Sequence, residues 1–370
     1  MPVMRIIRRS CLVGMLALLI AGVVLPAPVI GSPANRVTAT ADGLRLDGRP
    51  WWPSGLDAYQ LATDWSINTG CGAMVDLDSY FAALAPHSLT RFDLFAQLAV
   101  NKYTGALDFA PMDAVFAAAA RHDQMVIPVL AAGEGACESG RFKDHGWYAT
   151  GWRTEIGAGG LTFEQWMRTA VRRWKNSPAL AGWEMVGEPE TSICGDTSCG
   201  WQSRICPPDA ALVLRSFFDN AGAVLHRVHR SGLIWAGLAG GGQCGTAGPQ
   251  YEYVGGSRHL GVLDYHDYGS DGVPLPGDQW NGLAERIRQG AVLGKPVAVN
   301  EIGQSAGSCA SAAQRAADFR TKVTGQRAAG TATALFWAFV PDPRPDQCTY
   351  DIGPDDPAFD LVADLTTVGP

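Results

Sequence analysis

From residue 45 onward, short runs of apolar, β-branched or aromatic residues alternate with longer stretches in which apolar positions recur every three or four residues. The short runs predict buried strands and the longer ones amphipathic helices. Strands are predicted near 51–57, 88–95, 124–131, 180–187, 232–239, 261–267, 296–301 and 332–340. The clearest helix covers 162–175, where Phe163, Trp166, Met167, Ala170, Val171 and Trp174 form one stripe and Thr162 with Gln165 makes a capping box. Other helices are predicted to begin at Pro111, at Pro207-Pro208 and near Asp278, from a proline in the first turn or an aspartate cap. Eight strand–helix units with no Pro/Ser-rich linker and no charge run predict an α/β protein built as a single (β/α)8 TIM barrel over 32–370.

Composition narrows the function classes. With 47% hydrophobic and 18% charged residues the chain is not intrinsically disordered. A net charge of -7 argues against a nucleic-acid partner, because an acidic surface repels phosphates. Arg5, Arg8 and Arg9 precede an uncharged run from Cys11 to Leu25, followed by small residues around Gly31 to Ala34. That order predicts a signal peptide over 1–31, with Arg8-Arg9 faintly similar to a twin-arginine signal. A secreted, extracytoplasmic protein without a membrane span in its mature form, and a monomer, is expected. Besides Cys11, the cysteines are Cys71, Cys137, Cys194, Cys199, Cys206, Cys244, Cys309 and Cys348, an even set that reads as a disulfide framework in an oxidising compartment. All eight lie after a strand and before its helix, on the barrel face where chemistry occurs. The expected pairs are Cys309 with Cys348, Cys71 with Cys137, one within the loop after strand four, and one to Cys244.

Two predicted strands end in carboxylates. Strand four closes as Trp183-Glu184-Met185-Val186-Gly187-Glu188-Pro189, and strand seven as Val297-Ala298-Val299-Asn300-Glu301-Ile302-Gly303. Two acids on opposite sides of one barrel mouth are what glycoside hydrolysis needs, one to protonate the leaving oxygen and one to attack or stabilise the oxocarbenium-like centre. Here the chain resembles the clan A glycoside hydrolases, and within them the family 5 cellulases and mannanases. Their Trp-Glu-x-x-Asn-Glu-Pro motif is matched by Trp183, Glu184, Glu188 and Pro189, with Gly187 in place of Asn. The resemblance implies Glu188 as acid/base and Glu301 as nucleophile. It also implies substrate-side roles for Arg91 in Leu89-Thr90-Arg91-Phe92, for His266 and Tyr268 in His266-Asp267-Tyr268, and for Trp337 at the end of strand eight.

The activity implied is secreted, retaining cleavage of a β-linked polysaccharide or oligosaccharide such as mannan or glucan. A carbohydrate-binding barrel that has lost turnover and a transglycosylase acting on an envelope glycan are the alternatives. No metal or other cofactor is expected, because the histidines show no metal-binding motif. The two carboxyl groups are expected about 5–5.5 Å apart. Glu301, beside Arg91, is expected to have a lowered pKa and Glu188 a raised one. Gly187 removes the Asn that in family 5 binds the sugar's 2-hydroxyl, and a substrate with a 2-substituent or unusual ring form is the favoured explanation. Plainer readings stand beside these. Glu188 is then a solvated loop acid, Glu301 an ion-pair partner of Arg91, His266 a loop histidine and Trp337 barrel core. Glu134 and Glu138 are runner-up acids, and Trp65, Trp147, Tyr148, Trp152 and Trp201 are either sugar platforms or loop anchors.

Overall fold

The computed structural model describes residues 36–196 and 199–369, so the predicted signal peptide and Cys11 lie outside the described residues. Eight parallel strands form the centre: β1 (Ser54–Asp57), β2 (Leu89–Asp93), β3 (Met125–Val129), β4 (Trp183–Glu184), β5 (Ile234–Trp235), β6 (Leu263–Asp267), β7 (Val297–Gly303) and β8 (Ala334–Trp337). They pair in the order β5-β4-β3-β2-β1-β8-β7-β6. A parallel bridge between Trp235 and Val262 joins the two edges, so the sheet closes into a (β/α)8 barrel. Each strand is followed by its helix: α1 (Leu77–Ala83), α2 (Ala110–Arg121), α3 (Phe163–Trp174), α4 (Ala210–Val228), α5 (Gln250–Gly255), α6 (Leu283–Leu293), α7 (Ala312–Ala328) and α8 (Pro357–Leu365).

The period of two along each strand sorts side chains between two cores. Phe92, Val126, Leu263, Val297, Val299 and Phe336 face outward and pack under the helices. Leu89, Met125, Ile127, Ala181, Val262, Ala298 and Leu335 face inward and fill the lower barrel together with Val37, Leu44, Leu46 and Trp51. The last four belong to an antiparallel sheet of Val37–Thr40, Gly43–Leu46, Arg49–Trp52 and the C-terminal Thr367–Val368, which plugs the bottom. The run predicted as one strand over 51–57 is therefore two strands divided at Pro53, which has no N–H to donate to a ladder.

Helix α3 has the predicted capping box, with the Thr162 hydroxyl accepting from Gln165 N–H and the Gln165 amide accepting from Thr162 N–H. Its stripe is buried: Trp166 is 1% exposed and its indole N–H donates to Leu94 O at 3.1 Å, while Trp174 stacks on Phe116 of α2. The helix predicted near Asp278 starts later, at Leu283. Asp278 instead closes the preceding turn by accepting from Trp280 and Asn281 N–H.

The disulfides are Cys71–Cys137, Cys194–Cys199, Cys206–Cys244 and Cys309–Cys348, the expected pairs. All cross-link or close loops on the C-terminal side of the barrel strands. Among the described residues no helix is long and apolar enough to cross a membrane.

Candidate active site

Arg91 is the hub of the barrel mouth. On β2 the inward positions are Leu89, Arg91 and Asp93, so alternation puts a guanidinium directly above the apolar lower core. Its side chain is 6% exposed. Nε and Nη2 donate to the two oxygens of Glu184 on β4 at 2.8 and 2.7 Å, a bidentate pair. Nη1 donates to Asp57 Oδ1 on β1 and to Glu301 Oε1 on β7, both at 2.9 Å. Asp57 and Glu184 are site residues the sequence reading did not identify. Residue spacing does not reveal that Asp57 and Arg91 share one register level on paired strands.

Glu301 reaches this hub because β7 is irregular. Pairing with β6 shifts between Tyr265/His266, so Tyr265 faces Val299 but His266 faces Glu301. The extra residue leaves both Asn300 and Glu301 on the inner side, and Ile302 returns to the outer core. Such a bulge re-aims a side chain beside a site. Asn300 is thereby free to bond Asp264 on β6, while Glu301 Oε2 accepts from the Tyr268 hydroxyl at 2.6 Å.

Glu188 stands across the mouth, in the left-handed backbone region at φ 51°. A non-glycine residue there, and one preceding proline, holds a costly conformation that the surrounding bonds must fix. Glu188 N–H donates to Gly237 O, and its Oε1 accepts from His266 Nδ1 at 2.7 Å. His266 Nδ1 is also 3.4 Å from Glu301 Oε2. One atom each from Glu188, His266 and Glu301 lie within 4.8 Å of one another. The strand ends thus bring Glu188, Glu301, Arg91, His266 and Tyr268 together. Trp337 is half-buried at the end of β8 and stacks on Tyr59 with ring centroids 5.7 Å apart.

The charge states differ from the expectation. Burial raises the Glu301 pKa, and although His266 and Arg91 pull it down, the net direction is up. Burial also raises Glu188, but the hydrogen bond and charge of His266 outweigh it, so Glu188 is lowered. The expected ordering of the two acids is reversed because His266 is turned toward Glu188 and charged. Burial lowers its pKa, but Glu301 and Glu188 raise it to about 9. The Glu188 side chain is 40% exposed against 8% for Glu301, so water reaches the first acid far more freely than the second.

The runner-up acids serve the scaffold. Glu138 accepts from Ala132 N–H and Lys143, and Glu134 pairs with Arg204. Trp147, Tyr148 and Trp152 are buried around Phe217 and anchor their loop, whereas Trp65 and Trp201 are exposed on the rim.

The fold is shared with solved glycosidases. An endo-1,4-β-mannanase from Rhizomucor miehei has a TM-score of 0.65 at 16% identity, covering 89% of this chain and 97% of that one. An endo-β-1,4-mannanase from Thermotoga petrophila has a TM-score of 0.58 at 13% identity, covering 86% and 77%. A glycoside hydrolase family 5 mannosidase from Rhizomucor miehei has a TM-score of 0.58 at 13% identity, covering 90% and 97%. No protein-family profile and no curated protein sequence matches the chain. At these identities the likeness establishes a common barrel architecture, the one found in family 5 of clan A.

Proposed function

We propose that this protein is a secreted, retaining β-glycoside hydrolase acting on a mannan- or glucan-like polysaccharide, with residues 1–31 as its export signal and the barrel as its catalytic domain. The observation that carries the reading is the close approach of the Glu188 and Glu301 carboxylates, with oxygens within 4.8 Å across the mouth. Retaining enzymes hold the two carboxyl groups about 5–5.5 Å apart, and inverting enzymes separate them further to admit water. The mannanases and the mannosidase that share the barrel favour a β-mannan substrate.

In the first step a Glu301 oxygen forms a bond to the anomeric carbon as the bond to the leaving oxygen breaks, and Glu188 delivers a proton to that oxygen. In the free protein that proton resides on His266 Nδ1, hydrogen-bonded to Glu188. Its transfer along this bond leaves a neutral imidazole and a carboxylic acid poised for the leaving group. The pair therefore acts as one proton carrier, and its apparent pKa values belong to both residues. In the second step water attacks the glycosyl ester, Glu188 accepts the water proton, and Glu301 is released as a carboxylate. Arg91 and Tyr268 donate to the two Glu301 oxygens and orient them for attack.

The test is hydrolysis of β-mannan and β-glucan by wild type, Glu301→Ala and Glu188→Ala. Glu301→Ala is expected to abolish turnover. Glu188→Ala is expected to lose most activity on polysaccharide and much less on an aryl glycoside with an activated leaving group. Normal rates in both variants would place the site elsewhere.

A further inference from the structure

The space beside Gly187 is already occupied, and not by substrate. A Cβ added at Gly187 would lie 2.9 Å from Arg91 Nη2, 3.4 Å from Glu184 Oε1 and 3.5 Å from Val129 Cγ1. The nearest of these is too close for a carbon. The guanidinium cannot easily swing away, because Glu184, Asp57 and Glu301 hold it with four hydrogen bonds. Glycine at 187 is therefore required by where Arg91 sits. The side chain that the family 5 resemblance leads one to expect here would compete with Arg91 for the same volume.

Donor accounting gives the consequence. A guanidinium has five N–H groups. The Nε hydrogen and one on Nη2 go to Glu184, and the two on Nη1 go to Asp57 and Glu301. The second hydrogen on Nη2 has no acceptor among the described residues. It lies at the partly exposed Gly187, the residue before Glu188, on the same guanidinium whose Nη1 bonds Glu301. In a sugar whose anomeric carbon meets Glu301, the 2-oxygen is on the adjacent ring carbon, within reach of the guanidinium that holds Glu301.

We propose that Arg91 Nη2, uncovered by Gly187, is the donor to the 2-oxygen of the sugar being cleaved, and that this replaces the amide missing at 187. The proposal rests on the glycosidase reading above. It also departs from the expectation of a 2-substituted substrate, since the gap is filled by a donor suited to a plain hydroxyl oxygen. Because Arg91 is offset by the carboxylates of Glu184 and Glu301, it brings a charge-assisted bond without leaving an uncompensated cation beside the oxocarbenium-like centre.

The experiment compares four substrates: 4-nitrophenyl β-mannobioside, the β-cellobioside, and the analogue of each that lacks the 2-oxygen on the ring that carries nitrophenol. Gly187→Ala displaces Nη2; any disturbance of the Nη1 bond to Glu301 lowers the rates on hydroxy and deoxy substrates alike, so the readout is their ratio. The ratio of kcat/KM on the better 2-hydroxy substrate to that on its 2-deoxy analogue is expected to fall roughly tenfold to a hundredfold, mainly in kcat. Arg91→Lys keeps a cation near Glu301 but has no planar fork, so the ratio of 2-hydroxy to 2-deoxy rates should collapse there too. If Gly187→Ala does not fold, Arg91→Lys alone decides. Equal losses on hydroxy and deoxy substrates in a wild type that hydrolyses polysaccharide overturn this proposal and leave the glycosidase reading standing. A wild type inert on polysaccharide and on all four glycosides overturns that reading, and this inference with it.

Discussion

Replacing His266 with Gln tests the central electrostatic claim, that the folded protein binds a proton on a buried imidazole between two carboxylates. The side chain is 1% exposed, and its pKa rises from 6.5 to about 9 through Glu301 and Glu188 against the opposing effect of burial. A group whose pKa is higher in the folded than in the unfolded chain stabilises the fold fully below its unfolded pKa. That contribution disappears as pH rises through the folded value. For His266 the window runs from 6.5 to about 9, and the difference corresponds to about 3 kcal/mol at 1.36 kcal/mol per pH unit. Because His266 and Glu188 titrate as a pair, this is an order of magnitude for the pair.

The assay is guanidinium chloride unfolding of wild type and His266→Gln from pH 6 to 9.5, without reductant so that the disulfides stay closed. Wild type should lose about 3 kcal/mol more than the variant across that range. Lys295, lowered to about 8 by burial, titrates in the same window in both proteins and cancels. Parallel stability curves would refute the reasoning, since they would mean that His266 has the same pKa in the folded as in the unfolded chain.

Three further outcomes follow from the same geometry. The pH profile of kcat/KM should be a bell: its acid limb lies above the ordinary Glu value because Glu301, raised by burial, must be ionised, and its alkaline limb lies near the His266 value of about 9 and moves in His266→Gln; an unmoved limb would disconnect His266 from the proton delivered. Lys322→Met leaves Asp267 without its buried partner 2.7 Å away and should cost about 3–5 kcal/mol in denaturant unfolding, whereas a loss under 1 kcal/mol would show that Gln326 and the Gly269 N–H satisfy Asp267 without it. Asp57 is raised well above its ordinary pKa by burial, and its Oδ2 has no partner among the described residues, so it is read as a neutral acid; Asp57→Asn should then keep wild-type kcat while Asp57→Leu loses it, and equal losses in both would mean that Asp57 works as an anion.

What the sequence made legible and what it hid divide along a physical line. The eight strands were readable because each is a short apolar run whose burial does not depend on its neighbours, and α3 because its stripe and capping box are local. Glu188 and Glu301 were readable because a strand end fixes which face of the barrel a residue reaches. Contacts that depend on register were not. Nothing in the spacing of Asp57, Arg91 and Glu184 says that β1, β2 and β4 align so that one guanidinium serves three strands. Nor does the sequence of β7 announce the bulge that turns both Asn300 and Glu301 inward. The reversed order of the two acids has the same origin. Arg91 was foreseen beside Glu301, and alone it would lower that carboxylate. The direction is set instead by how deeply Glu301 is buried and by which carboxylate His266 Nδ1 approaches more closely, 2.7 Å to Glu188 against 3.4 Å to Glu301. A difference below 1 Å in a side-chain contact thus decides where the proton rests before reaction, and with it which limb of the pH profile each acid controls.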